Sequence, residues 1–490
     1  MQTKPNPLNR LRIFFTFFTS SICSLISKSS YEKPCMRAAK FIQLIFILVC
    51  IGFMSCKKDF VANETSASTN TFQKIIQSTR PNIILFIVDD FGYEIPTFTG
   101  GQSYNTPNLD FMAANGIQFT ECYSHPDGYP SRLAVYTGKY NFRNYTNWGQ
   151  LPATEKTIGN MLHDAGYATC FVGKWQCDGG DERIRSAGFD KYRVFMPFAF
   201  STEDYQYQYK NPRLYENGEY LSDEVTREKY SEDMYVDYAQ NFIDSNTINP
   251  FFIVYASNLI RNPWSPTPDD PEFATYNPDL LTEKGDQKYN TSMVAYMDKT
   301  IGKILKKIED NGLKNNTLIM FIGDNGTNRA IVSQFKGHAF KGGKNFTSKK
   351  GTQTPFVAYW PGIITPGQKS NALIDYTDFL PTLADAAGIS KPANYGILDG
   401  VSFYDNMTGI SGTNRKWIFC HWDNNARDEK PPIRYVNDRN YKLYDTLGYK
   451  NFYNIKRDVN ETSPLPDSVL TSEEVAIKQK FERVLQKEHN

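Results

Sequence analysis

The feature that most constrains the fold is a run of β-branched and other apolar residues, Ile83 to Val88, that ends in two adjacent carboxylates, Asp89 and Asp90. Apolar residues at consecutive positions are typical of a strand covered on both faces, as in a parallel sheet flanked by helices. Ligands of such sheets bind beyond the carboxyl ends of the strands. The run therefore predicts a central strand with two acids at a binding edge.

Similar strand runs alternate with helical patterns along the chain. Met293, Met297, Ile301, Leu305 and Ile308 recur at helical spacing, which predicts a helix with one buried face and not a cofactor-binding stripe. The predicted strands are 82–88, 168–172, 251–256, 317–322 and 355–359, and the predicted helices are 108–115, 156–165, 293–310 and 375–387. This alternation predicts an α/β fold with a mainly parallel central sheet flanked by helices.

A smaller second unit is predicted at the end of the chain, where Tyr-rich and Asn-rich short segments precede a charged helix from Ser472. The 490 residues suffice for one large core and a smaller one, so we place a main domain at 80–390 and an α+β subdomain at 391–490. The 54 basic and 53 acidic residues leave a net charge of +1, which argues against nucleic acid as a partner.

The amino terminus carries the pattern of an export signal. A short apolar run at 41–54 follows basic residues and ends before Ser55-Cys56, which is similar to a bacterial lipoprotein signal with Cys56 as the acylated residue. We expect a signal peptide at 1–55, of which 1–35 precede a second possible start at Met36, and a lipidated tether at 56–79. An ordinary signal peptide or one membrane anchor is the alternative. The pattern predicts a lipoprotein of the bacterial cell envelope, periplasmic or on the surface.

A second strand end adds further oxygen donors, because Asp324 and Asn325 follow the 317–322 run. Carboxylate and amide oxygens without His or Cys suit a hard cation, Ca²⁺ or Mg²⁺. The alternative is a pair of surface turns, since Asp-Asn-Gly is a common turn sequence. Two basic residues, Arg132 near a predicted helix start and Lys174 after another strand, are candidates to bind an oxyanion, with solvated surface charge as the alternative.

These motifs together resemble the sulfatase family of the alkaline-phosphatase-like superfamily. The matching segments are PNI at 81–83, DDFGY at 89–93, TPNLD at 106–110, NGIQFT at 115–120, PSR at 130–132, GKW at 173–175, GDNG at 323–326 and WPG at 360–362. The resemblance implies the corresponding fold and a divalent cation, usually Ca²⁺ and alternatively Mg²⁺, held by four residues. They are Asp89, Asp90, Asp324 and Asn325.

The resemblance also assigns the sulfate-binding cations to Arg132, Lys174 and Lys344, which are all present. The family's nucleophile, a Cys or Ser oxidised to formylglycine, falls on Gly128, so no formylglycine is expected here and the formylglycine mechanism is not possible. Two family histidines that handle protons fall on Gln176 and Arg261.

Whether the chain turns over sulfate esters stays open at this point. One hypothesis is an atypical sulfuric-ester hydrolase acting on sulfated polysaccharide or oligosaccharide, with Asp127 or a cation-bound hydroxide in place of the nucleophile. The alternative is a pseudosulfatase that only binds sulfated glycan. A third reading, a phosphoester hydrolase or transferase of the same superfamily, also needs a side-chain nucleophile at Gly128.

Overall fold

The computed structural model describes residues 80–144, 149–199, 202–280, 285–390, 393–410, 412, 414–423, 431–446 and 451–488. The predicted signal peptide at 1–55 and tether at 56–79, with Cys56, lie outside the described residues. In the part that is described, no helix is both long and apolar enough to cross a bilayer.

The strands form a large sheet, a hairpin and a small sheet. The strands are β1 (Asn82–Val88), β2 (Ile117–Tyr123), β3 (Ala168–Lys174), β4 (Lys191–Phe195), β5 (Tyr215–Glu216), β6 (Glu219–Tyr220), β7 (Phe251–Ser257), β8 (Thr317–Gly323), β9 (Val332–Phe335), β10 (His338–Lys341), β11 (Gln353–Tyr359), β12 (Gln368–Asp375), β13 (Ile418–Trp422), β14 (Ile433–Asn437), β15 (Tyr441–Tyr444) and β16 (Phe452–Asn454). The large sheet has the order β12-β2-β11-β8-β1-β7-β3-β4-β5-β6.

Helices lie between these strands along the chain. They are α1 (Pro107–Asn115), α2 (Gly128–Thr137), α3 (Asn141–Asn144), α4 (Ile158–Asp164), α5 (Gly180–Ser186), α6 (Asp223–Thr226), α7 (Ser231–Ser245), α8 (Asn290–Asp310), α9 (Lys349–Thr352), α10 (Phe379–Ala386), α11 (Tyr404–Thr408) and α12 (Ser472–Lys487). The α/β fold with a mainly parallel central sheet, predicted from the sequence, is confirmed.

Strand β1 lies at the centre of the large sheet and is buried on both faces. It pairs in parallel with β7 on one side and β8 on the other. Ile83, Leu85 and Ile87 join the apolar core that includes α2, α4 and α10, whereas the intervening residues join the core that includes α1, α7 and α8. This arrangement explains the apolar run, because alternate side chains enter two separate cores.

Two strands of the large sheet, as described, depart from the parallel arrangement: β5, which is antiparallel to β4 and β6 at one edge, and β11. β11 is antiparallel to both of its neighbours, β8 and β2. The chain between β8 and β11 leaves the sheet at the carboxyl end of β8, forms the β9–β10 hairpin, and returns at the same end. A strand that starts at the edge where the previous strand ended must run in the opposite direction, because a parallel strand would need a connection that crosses to the other edge of the sheet. The apolar run at 355–359 carries no signal of this direction.

The four carboxy-terminal strands form an antiparallel sheet in the order β13-β14-β15-β16. Phe419, Val436, Leu443 and Phe452 from these strands pack with α12 and with Tyr140 of the preceding part of the chain. The predicted final helix from Ser472 begins where expected. The domain boundary near residue 391 stays a prediction.

A buried ion pair fastens the segment before the small sheet to the end of the large one. The Arg415 guanidinium contacts both carboxylate oxygens of Asp378, with Nε to Oδ2 at 2.9 Å. It also donates to the Tyr140 hydroxyl at 3.1 Å and to the Asp399 carbonyl at 3.0 Å. Arg415 and Asp378 are both buried, so neither charge has water as a replacement partner.

We expect Arg415→Met to lower the free energy of unfolding by about 3–5 kcal/mol, because it leaves the Asp378 carboxylate buried without its counter-charge. Urea unfolding followed by tryptophan fluorescence measures the change. Arg439→Met is the matched control, since Arg439 is exposed, and should change stability by less than about 0.5 kcal/mol. Equal effects of the two substitutions would contradict a stabilising role for the buried pair.

Candidate active site

Three carboxylates meet where β1 and β8 end side by side. Val88 and Gly323 are opposite each other in the parallel ladder, so Asp89 and Asp90 follow one strand and Asp324 the other. The Asp90 backbone N–H donates to Asp324 Oδ1 at 2.9 Å. Ligand oxygens of the three carboxylates lie within 4.8 Å of one another, and all three side chains are buried.

The donor set fits a hard cation. Each of the four residues keeps one buried oxygen without a hydrogen-bond donor: Asp89 Oδ1, Asp90 Oδ2, Asp324 Oδ2 and Asn325 Oδ1. The Asn325 amide nitrogen donates to Asp90 Oδ1 at 2.9 Å, which leaves its oxygen available. Buried acceptors without partners are costly unless a cation or donor satisfies them. The four residues therefore suit Ca²⁺ or Mg²⁺ by number and chemistry.

Four basic side chains reach the same edge of the sheet. Lys174 ends β3 and forms an ion pair with Asp89, and Arg261, beyond the end of β7, lies 3.9 Å from Asp89. Lys344 forms an ion pair with Asp90, and Arg132 in α2 lies 3.6 Å from Asp324. Because β3, β7, β1 and β8 are neighbours in the sheet, their carboxyl ends bring Lys174 and Arg261 to the acids. Helix α2 and the chain after β10 bring the other two basic residues to the same place.

The surrounding charges and burial shift the pKa values of Asp89 and Asp324 in opposite directions. Burial acts to raise the pKa of Asp89, but the charges of Lys174, Arg261, Lys344 and Arg132 outweigh it and hold the pKa well below its usual range. Burial, followed by the negative charge of Asp89, raises the pKa of Asp324 to about 7. A cation bound at the carboxylate oxygens that lack hydrogen-bond donors would offset the repulsion between Asp89 and Asp324.

Gly128 begins α2 directly against this cluster. A Cβ at this position would collide with Asp324 Oδ2 and would lie 2.8 Å from Asp324 Cγ and 3.0 Å from Asn325 Oδ1. The preceding residue, Asp127, caps the helix by accepting the Tyr129 backbone N–H at 3.2 Å. The predicted site residues at 127 and 128 therefore lie at the edge of the acidic cluster.

Two of the positions that depart from the sulfatase pattern have specific contacts of their own. Arg132 Nη2 donates to the side-chain oxygen of Gln176 at 2.6 Å. The Arg261 guanidinium lies 5.2 Å from the centre of the Tyr205 ring, and its backbone carbonyl accepts the Tyr209 hydroxyl at 2.7 Å. Gln176 therefore orients the Arg132 guanidinium, whereas Arg261 is itself a positive charge held in the site by Tyr205 and Tyr209.

Comparison with known proteins identifies the family. The family model described as "Sulfatase" matches residues 81–389, and the model "N-sulphoglucosamine sulphohydrolase, C-terminal" matches residues 339–489. The chain belongs to the sulfatase family. Among relatives of this family, it is 28% identical to arylsulfatase G of Rattus norvegicus over 453 residues, which cover 79% of this chain and 83% of the relative.

Other family members show the same relationship. The chain is 30% identical to N-acetylgalactosamine-6-sulfatase of Rattus norvegicus over 359 residues, covering 67% of this chain and 66% of the relative. Among solved structures, Ps i-CgsB in complex with k-i-k-neocarrahexaose superposes with a TM-score of 0.68 at 25% identity, covering 83% of this chain and 92% of the other. These matches support the fold described above.

The structure brings together every site residue that the sulfatase resemblance assigned, and it adds contacts that the resemblance did not indicate. The Tyr376 hydroxyl contacts the Gly323 carbonyl beside Asp324, and Thr327 Oγ1 accepts the Gly92 backbone N–H at 3.1 Å. Both residues position the strand ends that carry the acids. No local pattern marks them, because their role arises from contacts between distant segments.

Cation binding should stabilise the protein in a pH-dependent manner. We expect Ca²⁺ to raise the melting temperature, and its Kd to weaken about tenfold between pH 8 and pH 6, because the proton that Asp324 holds below a pKa of about 7 competes with the cation. Calorimetric titration with CaCl₂ measures the Kd. Asp324→Asn should lose most of the affinity, and the exposed Asp310→Asn should retain it; equal affinity in the two variants would contradict the assignment.

A side chain at position 128 should disturb Asp324. We expect Gly128→Ala to destabilise the protein by about 1–3 kcal/mol, because the methyl group must displace the Asp324 carboxylate. In the background of Asp324→Ser, which shortens the colliding side chain, most of this cost should vanish. Urea unfolding of the four proteins of this double-mutant cycle provides the measurement. An undiminished cost in the Asp324→Ser background would show that the collision is not with Asp324.

Proposed function

We propose that this chain binds a sulfated saccharide at the acidic and basic cluster and retains it without rapid hydrolysis. The observation that carries the proposal is a set of buried guanidinium N–H groups without acceptors, Arg132 Nε and Nη1 and Arg261 Nε, beside the carboxylate cluster. Buried donors without partners are costly, and an oxyanion such as a sulfate group would satisfy them.

Each basic residue has a role in this proposal. Arg132 would grip two sulfate oxygens with its planar fork, while Lys174 and Lys344 would supply point charges on either side. A Ca²⁺ or Mg²⁺ ion held by the four oxygen donors would add positive charge at the sulfate oxygens. Lys174 and Arg132 are almost fully buried, so their attraction for an anion is weakly screened by water.

The saccharide part of the ligand is supported by the relatives and by the exterior location that the sequence predicts. Named relatives act on, or are solved with, sugars: N-acetylgalactosamine-6-sulfatase and a complex with a neocarrahexaose. A lipoprotein anchored through Cys56 in the bacterial cell envelope would meet such polymers outside the cell. We propose this location from the signal pattern alone.

Retention is favoured over turnover by the residues at three positions. Gly128 has no side chain to act as a nucleophile, and Gln176 and Arg261 cannot exchange protons near neutral pH. The Arg261 charge, 3.9 Å from Asp89, would instead strengthen binding of an anion and slow its release. This combination is the pattern expected of a pseudosulfatase.

Hydrolysis with Asp127 as the nucleophile is the second candidate function. The charge of the Asp127 carboxylate acts on both Arg261 and Lys344, which places it at the edge of the same cluster. Its cap on the Tyr129 N–H holds it at the start of α2. In this reaction an Asp127 oxygen would bond to the sulfur of a sulfate ester seated between the cations while the bond from sulfur to the sugar oxygen breaks, and the sugar oxygen would take a proton from water. Water would then hydrolyse the acyl sulfate, which releases sulfate and restores Asp127. The same attack on a phosphoester is the third alternative.

Binding and turnover are tested together on carrageenan-, chondroitin- and heparin-derived oligosaccharides in the presence of Ca²⁺. We expect a measurable Kd, no sulfate release above the protein-free rate, and at least a tenfold weaker Kd in Arg132→Gln, which loses the guanidinium fork. The exposed Lys306→Ala is the control for charge loss. Calorimetry and ion chromatography provide the two readouts.

Sulfate release by the native protein would overturn retention without hydrolysis. Asp127→Asn then separates the mechanisms, because asparagine still caps the helix but is not a nucleophilic carboxylate. Loss of release in Asp127→Asn would establish the second candidate. If none of the oligosaccharides binds the native protein, the proposed ligand class is wrong.

A further inference from the structure

A pocket outside the cluster of acids and bases combines two arginines with two tyrosines. Its volume is about 520 Å³, within the range of small-ligand sites. Segments 207–213 and 220–227 line it, and the polar and aromatic lining residues are Tyr207, Asn211, Arg213, Tyr220, Asp223 and Arg227. Arg213 lies over the Tyr220 ring, with 4.9 Å between Cζ and the ring centre.

Backbone hydrogen bonds preform this pocket. The Arg213 N–H donates to the Tyr207 carbonyl at 3.0 Å, and the Leu221 N–H donates to the Leu214 carbonyl at 2.9 Å. The side-chain oxygen of Asn211, another lining residue, accepts the Glu228 N–H at 2.7 Å. A pocket whose walls are already joined loses little conformational entropy when a ligand binds.

The pocket is joined to the candidate active site through a short stretch of chain. Tyr205 lies against Arg261, and Tyr207, two residues later, lines the pocket. Two residues of extended chain span at most about 7 Å between their Cα atoms. Tyr209 in the same stretch donates its hydroxyl to the Arg261 carbonyl at 2.7 Å. At least one wall of the pocket, at Tyr207, is therefore close in the chain to the Tyr205 ring that contacts Arg261.

The chemistry of the lining selects an anionic sugar. Arg213 and Arg227 are exposed, and among the described residues Arg227 forms no ion pair with a carboxylate. Guanidinium groups bind sulfate oxygens in pairs, and tyrosine rings offer flat apolar faces to sugar rings. The Asp223 carboxylate, which also lines the pocket, would accept a hydrogen bond from a sugar hydroxyl.

We propose that this pocket is a second subsite that binds another sulfated residue of the polymer whose first sulfate lies at Arg132, Lys174 and Lys344. This proposal rests on the proposed function. Two connected subsites make binding of the second group intramolecular, so affinity rises with oligosaccharide length without any change at the first subsite. The chain would thereby distinguish polymers with sulfates on successive sugars from isolated sulfated monosaccharides.

The test compares a hexasaccharide with its sulfated monosaccharide from whichever carrageenan, chondroitin or heparin source binds the native protein. We expect Arg213→Ala/Arg227→Ala to weaken the hexasaccharide Kd about tenfold or more and to leave the monosaccharide Kd within twofold. The control Lys299→Ala/Lys306→Ala removes two exposed charges of α8 that do not line the pocket, and it should change neither Kd. Tyr220→Ala should weaken the hexasaccharide alone, and Tyr220→Phe should retain its affinity.

The outcomes separate the subsite from the function on which it rests. If the native protein binds the monosaccharide and the double arginine variant binds the hexasaccharide as well as the native protein does, the second subsite is wrong and the proposed function stands. If neither the hexasaccharide nor the monosaccharide binds the native protein, the proposed function itself fails. Equal losses in the arginine variant and the lysine control would show a general charge effect, which also overturns the subsite.

Discussion

Three carboxylates buried at one sheet edge are the constraint on which the rest of this structure depends. Their mutual repulsion is tolerable only because positive side chains surround them, and because their remaining oxygens can bind a cation. The positive charges of Lys174 and Arg261 stabilise the ionised form of Asp89. The ionised form of Asp324 is less favourable, because burial and the negative charge of Asp89 raise its pKa to about 7. In our proposal, this same concentration of charge allows the site to bind a cation and an oxyanion together.

The architecture of the sheet explains how so many charges reach one place. Adjacent parallel strands end at a common edge, so residues more than 200 positions apart in sequence become neighbours: Asp90 and Asp324 are joined by a hydrogen bond across 234 residues. Arg132 reaches this edge from helix α2, and Lys344 reaches it from the loop after the β9–β10 hairpin. The antiparallel direction of β11 follows from this loop, which begins and ends on the site side of the sheet.

The departures from the sulfatase pattern form a coherent set. Gly128 leaves room that the Asp324 carboxylate occupies, Gln176 accepts a hydrogen bond from Arg132, and Arg261 stacks on Tyr205. In the function that we propose, each change favours a fixed, positively charged binding site over groups that attack or transfer protons. The second subsite that we propose at Arg213 and Arg227 would extend this preference for anions along a polymer, because additional contacts strengthen binding of a ligand that is retained.

The sequence by itself determined the α/β class, the central strand 82–88, the buried face of helix α8 and the identity of the acids at the strand ends, because apolar periodicity and strand termini are local patterns. Family motifs extended this to Arg132, Lys174 and Lys344. Only the tertiary structure decided the direction of β11, the contacts of Gln176 and Arg261, the support from Tyr376, and the pocket beside Tyr207. These features depend on which distant segments become neighbours, and the energy of packing and charge pairing between such segments leaves no signature in a short stretch of residues.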